Sequence, residues 1–253
     1  MEVMEVTQVS KGWFYPAPNA TPSAVQCSDL SARRPASLRL ALIAASLFAA
    51  AVAGAQAHLA VTLSGHPAGY ATLSQKVQKD GVKVVELRME LSSQDQKVRL
   101  SSEASYDAKG LPVRKFQEIV SASGSLNKQV VVTFDKAGAN VVILDGGKRS
   151  TKAVSLVSTA PRASLSEFWF IRDKPKQGHI EQAYQFNIDT LAWELVRTEY
   201  RGKRTLKIEN HTVSVHEVYS KRGDKETTAY LDDQGLPVLV DQGNIKMVKI
   251  WQK

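Results

Sequence analysis

The chain has 253 residues, of which 43% are hydrophobic, and it carries a formal net charge of +8. This length allows one or two domains. The single cysteine, Cys27, excludes a disulfide within the chain and a metal site built from several cysteines. The positive charges are scattered along the chain, so they favour a solvated surface or an anionic envelope partner over a nucleic acid.

The first 57 residues have the features of an export leader. The stretch Leu40–Val52 is an apolar run of 13 residues that follows three arginines, and the small-x-small set Ala55-Gln-Ala57 comes after it. These parts predict a secretory signal peptide that is cleaved between Ala57 and His58. The run is shorter than the ~20 residues of a membrane-spanning helix, so no transmembrane segment is expected after cleavage. The predicted location is therefore periplasmic or secreted.

Alternating polar and apolar residues dominate the chain from residue 58 onward. In the stretch "VKVVELRMEL", the side chains of Val85, Leu87, Met89 and Leu91 fall on one face of a strand. Short runs of this kind alternate with turns rich in Gly, Asp and Asn, which suit tight hairpins. Residues 58–253 are thus predicted to form a single, mainly β domain, a curved antiparallel sheet or half-open barrel.

One segment departs from this alternation. Ser164 is followed three residues later by Glu167, the spacing of a helix capping box, and Pro175 ends the pattern. A short helix is predicted over residues 164–172. Its three consecutive aromatic residues cannot all face one way, which suggests that the helix is sandwiched or plugs an opening. These aromatic residues are Phe168, Trp169 and Phe170.

A turn motif occurs twice. Asp107–Gly110 and Asp232–Gly235 each place an Asp three residues before a Gly, and Leu-Pro-Val follows both times. The Asp can close the turn, the Gly can take a left-handed conformation, and the Pro can open the next strand. Two interpretations remain open. Either good hairpin chemistry was used twice, or the chain has two similar meander halves, about 58–155 and 178–253.

These features together carry a resemblance. The export leader, the stretch "GHPAGYATL" with Gly65, Ala68 and Gly69, and the Asp-x-x-Gly-Leu-Pro hairpins resemble exported bacterial β-rich proteins of uncharacterised function. Their fold is similar to that of the lipoprotein-localisation factors, a half-open antiparallel sheet covered by a helical plug. The resemblance implies a concave apolar surface that can hold an acyl chain. It implies no catalytic residues.

Motifs of known enzyme classes are missing from the sequence. There is no Gly-x-Ser-x-Gly elbow, P-loop, dinucleotide fingerprint or metalloprotease helix motif. The adjacent carboxylates of Asp232 and Asp233 belong to a predicted hairpin turn. The sequence therefore favours a non-enzymatic binding protein of the bacterial envelope, with an apolar or amphipathic ligand such as a lipid.

Aromatic and basic residues around the predicted helix supply a candidate ligand site. The aromatic side chains would form an apolar wall and two cations would meet an anionic headgroup. In the alternative interpretation, Phe168, Trp169 and Phe170 fill the core and the lysines lie in a solvated loop. The candidates are Phe168, Trp169, Phe170 and Trp193 for the wall, and Arg172 and Lys174 for the headgroup.

Two other functions remain open. Cleavage before His58 would leave its amine and ring nitrogen as a copper(II) chelate, which needs a second histidine such as His66 or His179. Apart from that alternative, no cofactor is expected. The domain could also be a structural part of the envelope that binds proteins along its sheet edges. The sequence does not indicate the oligomeric state.

Overall fold

A computed structural model describes residues 4–5, 55–93, 96–121, 124–156 and 174–251. The predicted helix at residues 164–172 lies outside these ranges. Within them every regular element is a β-strand. No helix of the described ranges is long and apolar enough to cross a membrane.

The strands vary from two to 17 residues in length. In chain order they are β1 Met4–Glu5, β2 Ala55–Leu63, β3 His66–Val77, β4 Lys83–Ser93, β5 Gln96–Tyr106, β6 Pro112–Ser121, β7 Leu126–Phe134, β8 Gly138–Asp145, β9 Lys148–Ser155, β10 Ile180–Asn187, β11 Ala192–Ile208, β12 His211–Arg222, β13 Lys225–Leu231, β14 Pro237–Asp241 and β15 Ile245–Lys249.

All the strands belong to one curved sheet, as the sequence predicts. Its order is β1-β11-β12-β13-β14-β15-β2-β3-β4-β5-β6-β7-β8-β9, with β10 also paired to β11. The short β1 contact is parallel and every other ladder is antiparallel. Two meanders, β2–β9 and β10–β15, therefore join where β15 pairs with β2. Among the described residues no ladder connects β9 to β10, so the sheet is not closed.

The alternation in β4 places its apolar residues on the inner face of the curve. Val85, Leu87, Met89 and Leu91 are all buried, which confirms the predicted pattern. Inner-face side chains of both meanders meet in one core cluster, which includes Leu73 of the first meander. Because the sheet curves around this cluster, one continuous core holds the two meanders together.

A second, smaller cluster lies on the opposite face of the sheet. Val240 and Met247 belong to the main core, whereas their chain neighbours Leu239 and Val248 belong to this second cluster. Successive side chains of a strand point to opposite faces, so the two clusters lie on opposite sides of β14 and β15. The second cluster is held by the long β11–β12 hairpin, through residues such as Leu206.

Aromatic side chains connect the two ends of the open sheet. The ring of Trp193 in β11 makes edge-to-face contacts with Phe134 of β7 at 5.8 Å and Phe186 of β10 at 5.4 Å between centroids. Its Nε1 donates a hydrogen bond to the carbonyl oxygen of Val154 in β9 at 3.3 Å. We call these four residues the seam. They bring β9 and the β10–β11 hairpin together without a ladder between them.

The repeated turn has the predicted chemistry in its first copy. The Oδ1 of Asp107 accepts hydrogen bonds from the backbone N–H groups of Lys109 at 2.9 Å and Leu111 at 2.8 Å. Gly110 has a φ of 81°, a left-handed conformation that a residue with a Cβ rarely adopts. The Asp therefore closes the turn and the Gly reverses the chain between β5 and β6.

The second copy, between β13 and β14, repeats this geometry. The Oδ1 of Asp232 accepts from the N–H groups of Gln234 at 3.0 Å and Leu236 at 2.9 Å, and Gly235 also has a φ of 81°. In each meander this turn follows the fourth strand. The equal position is compatible with two similar halves, and the duplication itself stays a prediction.

We expect the Asp107→Ala variant to lose about 1–2 kcal/mol of unfolding free energy, because two backbone N–H groups lose their acceptor. Urea unfolding followed by circular dichroism measures this loss. The matched control is Asp107→Asn, which keeps an Oδ1 acceptor and should lose less than half as much. Equal losses in the two variants would show that the carboxylate charge, and not the turn geometry, stabilises this hairpin.

Candidate functional site

The structure describes two of the six residues that the sequence nominates for ligand binding. Phe168, Trp169, Phe170 and Arg172 lie outside the described ranges. Lys174 is exposed and has a φ of 45°. Trp193 is half-buried in the seam, and its only polar atom already donates to β9. The ring of Trp193 therefore packs in the seam, and its role in ligand binding stays a prediction.

His58 and His66, two histidines of the copper hypothesis, lie far apart. His58 is in β2, directly opposite Thr72, and its Nδ1 lies 3.3 Å from the Thr72 Oγ1. His66 is the first residue of β3, six residues away from Thr72, which corresponds to about 20 Å along an extended strand. The structure therefore does not bring His58 and His66 together. The described residues contain no group of three or more His, Cys, Asp or Glu that could hold a metal ion.

A hydrogen-bonded cluster surrounds His216 of β12. Its Nδ1 lies 2.9 Å from the hydroxyl of Tyr200, and its Nε2 lies 2.9 Å from the Oδ1 of Asp233. The same Oδ1 accepts from the Lys203 Nζ at 3.1 Å. These hydrogen bonds from Lys203 and His216 lower the pKa of Asp233, and burial raises the pKa of Tyr200. Both ring nitrogens of His216 are engaged, so the cluster clamps the second Asp turn onto β11 and β12.

Charged and polar side chains near the β10–β11 turn form hydrogen bonds with one another. The Arg222 guanidinium donates to the Oε1 of Gln185 at 2.8 Å. The Nδ2 of Asn187 donates to both carboxylate oxygens of Glu194, at 3.0 and 2.9 Å. Because each of these buried or half-buried groups has a partner nearby, the cluster leaves no free charge for a ligand.

The tip of this turn is anchored inside the curve by Asp189. Burial raises the pKa of Asp189, against the opposing charges of Lys128 and Lys225 and a hydrogen bond from the side chain of Gln117. Gln117 is an inner-face residue of β6 that is only 4% exposed. The contact therefore satisfies a buried amide and fixes the turn against the wall formed by β6 and β7.

Gln75 of β3 differs from the other buried polar residues of the described chain, because both polar atoms of its side chain lack a hydrogen bond. Arg222 has one such atom, Nε, but its guanidinium is engaged through another nitrogen. The side chain of Gln75 is 3% exposed, and neither its Nε2 nor its Oε1 has a hydrogen-bond partner among the described residues. An unsatisfied buried polar group costs about 1–3 kcal/mol, and each such group in a folded protein calls for an explanation. Gln75 is therefore a buried residue whose polar atoms the contacts of the described residues do not account for.

The surroundings of Gln75 are apolar. It lies directly opposite Ala55 of β2 and Val85 of β4, and Val85 in turn lies opposite Ala104 of β5. These three residues pack in or against the main core, as does Leu73 two positions before Gln75. A ligand atom that formed a hydrogen bond with the Gln75 amide would therefore be surrounded by apolar side chains. A charge would be strongly disfavoured in that environment.

The sequence contained a signal for this residue. In "YATLSQKV" the inner-face positions Ala71 and Leu73 are followed, in steps of two, by Gln75. Counting the period through to the end of the strand therefore places a polar side chain on the inner face. Gln75 is nevertheless not among the predicted site residues, because a polar residue near a strand end is usually assigned to the solvent.

A cleft of about 500 Å³ lies on the outside, between the β12–β13 and β14–β15 turns. Its volume is that of a small-molecule site. Its walls carry Asp224, Glu226 and Asp241, and Glu226 is paired to Lys221 at 3.0 Å. Walls of this kind do not suit an apolar ligand, so the cleft is not the predicted binding surface.

Comparisons with known proteins give the fold alone. No family model and no curated protein matches the chain. Among solved structures, the chain is similar to a β-barrel-like protein of a domain of unknown function, DUF1849, from Brucella abortus. The TM-score is 0.56 at 10% identity over 79% of this chain and 96% of that one. This similarity agrees with the expected resemblance to uncharacterised bacterial β-rich proteins.

A second solved structure shows less similarity. It is a DUF1089 family protein from Pseudomonas aeruginosa, with a TM-score of 0.35 and 13% identity over 78% of this chain and 94% of that one. A score this low carries no argument. The similarity to the lipoprotein-localisation factors in particular stays a prediction.

Proposed function

We propose that this protein is an exported, non-enzymatic binding protein of the bacterial envelope. Its ligand is an apolar molecule that carries one uncharged polar group, and it binds inside the curved sheet. The observation that carries the proposal is the buried amide of Gln75, which has no hydrogen-bond partner in the part of the chain that the structure describes.

The chemistry of Gln75 defines the ligand class. A glutamine amide has two N–H donors and an oxygen acceptor, so a hydroxyl, ester or amide group can satisfy it. In free protein the unsatisfied amide costs stability, whereas in a complex the same amide would fix the position of the ligand. A leucine of similar size would avoid this cost, so a role in recognition accounts for glutamine at this position.

The interior cations support a neutral ligand rather than an anionic one. Arg222 is engaged by Gln185 and lies 3.7 Å from a carboxylate oxygen of Glu194. Lys174, which the sequence nominates for a headgroup, is exposed. An anionic headgroup would therefore have to compete with existing partners or remain outside the curve.

The two alternative functions have less support. For the structural role, the free edge of β9 carries Lys148, Arg149 and Lys152, and charged edge strands discourage pairing with another chain. For the copper role, the separation of His58 from His66 removes one of the second ligands that the hypothesis offered.

Replacing Gln75 by leucine tests the proposal. Native mass spectrometry of the protein purified from its own envelope should show a bound mass of several hundred daltons that denaturation releases. We expect the Gln75→Leu variant to carry at least tenfold less of this ligand. The same variant should gain about 1–2 kcal/mol of unfolding free energy, because an unsatisfied polar group is removed.

Gln117→Leu is the matched control. It makes the same change at another buried inner-face glutamine, but one that has a partner in Asp189. This variant should lose stability and keep the ligand. A wild-type protein without a bound mass would refute the proposal, and so would equal ligand content in the two variants.

A further inference from the structure

Strand β2 begins before the predicted cleavage position. Ala55, Gln56 and Ala57 pair in register with Gln75, Ser74 and Leu73 of β3. Ala57 is 1% exposed and belongs to the main core, and Ala55 packs against that core. These three residues are therefore part of the folded domain and not of a leader that can be discarded.

Cleavage between Ala57 and His58 would damage this region. It would remove the backbone partners of three consecutive β3 residues and uncover the buried side chain of Leu73. It would also place a new charged amine at His58. The carbonyl oxygen of His58 accepts a hydrogen bond from the N–H of Ile250, which directly follows β15. This charged amine would lie next to Leu59, whose buried apolar side chain cannot compensate the charge.

We infer that the exported protein retains Ala55–Ala57 and that its leader is removed on the N-terminal side of Ala55. This inference rests on the export part of the proposed function. The sequence offers a second small-x-small set, Ala51-Val-Ala53, directly at the end of the apolar run. Hydrolysis of the Ala53–Gly54 bond by a signal peptidase consumes one water and leaves a carboxylate on Ala53 and an amine on Gly54.

The retained residues change what His58 can do. Its backbone nitrogen stays in a peptide bond to Ala57, so it has no free amine to join its ring nitrogen in a chelate. Its ring instead lies beside the Thr72 hydroxyl on the face opposite the core. The N-terminal copper site therefore fails as a consequence of the same strand register.

The intact mass and the N-terminal sequence of protein purified from the envelope fraction test this inference. We expect a chain that starts at Gly54. A start at His58 or beyond would overturn the inference while leaving export intact. An uncleaved chain in the cytosolic fraction would overturn export itself, so the two failures can be told apart.

Two arginine variants locate the scissile bond independently of folding. Signal peptidases need a small residue before the cleaved bond, so Ala53→Arg should make the full-length precursor accumulate in pulse-labelled cells. Ala57→Arg should be processed at the wild-type rate, because the pulse reports chain size before folding matters. The reverse pattern would assign cleavage to Ala57 and refute retention of β2.

Discussion

Replacing Trp193 by alanine should lower the free energy of unfolding by about 3 kcal/mol, the lower end of the range for large aromatic residues, because the ring is half-buried. The ring packs on Phe134 and Phe186, and its N–H reaches Val154 on the far edge of the sheet. The variant therefore loses the contact that connects β9 to the β10–β11 hairpin. Urea unfolding followed by circular dichroism measures the loss.

Two controls separate the contributions of Trp193. Trp193→Phe keeps most of the packing and loses only the hydrogen bond, so it should cost about 1 kcal/mol. Leu195→Ala changes an apolar side chain of the same strand that is 42% exposed, and should cost about 0.5 kcal/mol or less. If Trp193→Ala were as mild as Leu195→Ala, the seam would not hold the sheet together in solution.

Gly69→Ala should be one of the most damaging small substitutions among the described residues, with a loss of more than about 3 kcal/mol. Gly69 has a φ of 146°, and a Cβ added there would overlap the backbone carbonyl oxygen of Glu90 in β4. That oxygen cannot move away without disturbing the β3–β4 ladder. We expect the variant to unfold at a much lower urea concentration or to fail to accumulate.

Gly65→Ala is the matched control in the same hairpin. Gly65 also has a positive φ, of 81°, but a Cβ there meets nothing within 4 Å. It should therefore show the backbone strain alone, about 1–2 kcal/mol. Similar losses in the two variants would mean that the close approach of β3 to β4 is not a constraint on the fold.

Local pattern accounts for the parts of the fold that the sequence predicted correctly. In β4, every second residue is apolar, and alternate side chains of a strand point to the same face of the sheet. The pattern therefore predicts that Val85, Leu87, Met89 and Leu91 face the core, and the structure buries all four. The Asp turns depend on bonds that span at most four residues. Such features follow from neighbouring residues, so no knowledge of the distant chain is needed.

Contacts between distant residues account for what the sequence could not give. The seam joins Trp193 to Val154 across 39 positions without a ladder, and no period or motif signals this pair. The assignment of Ala57 to the leader followed a small-x-small rule that Ala53 also meets. The register of β2 against β3 places Ala57 in the core, a contact that no local rule in the sequence indicates.

The strand order has a consequence for how quickly the chain can fold. Apart from the short β1 contact, the β15–β2 ladder is the only one in the described sheet that joins strands far apart in the chain. Every other ladder is a hairpin, and hairpins form in microseconds because little loop entropy is lost. Each meander can therefore form independently, one hairpin after another. Because nearly all ladders of the described sheet join neighbouring strands, its contact order is low for a β-sheet protein. The rate-limiting event would then be the encounter of the two folded meanders.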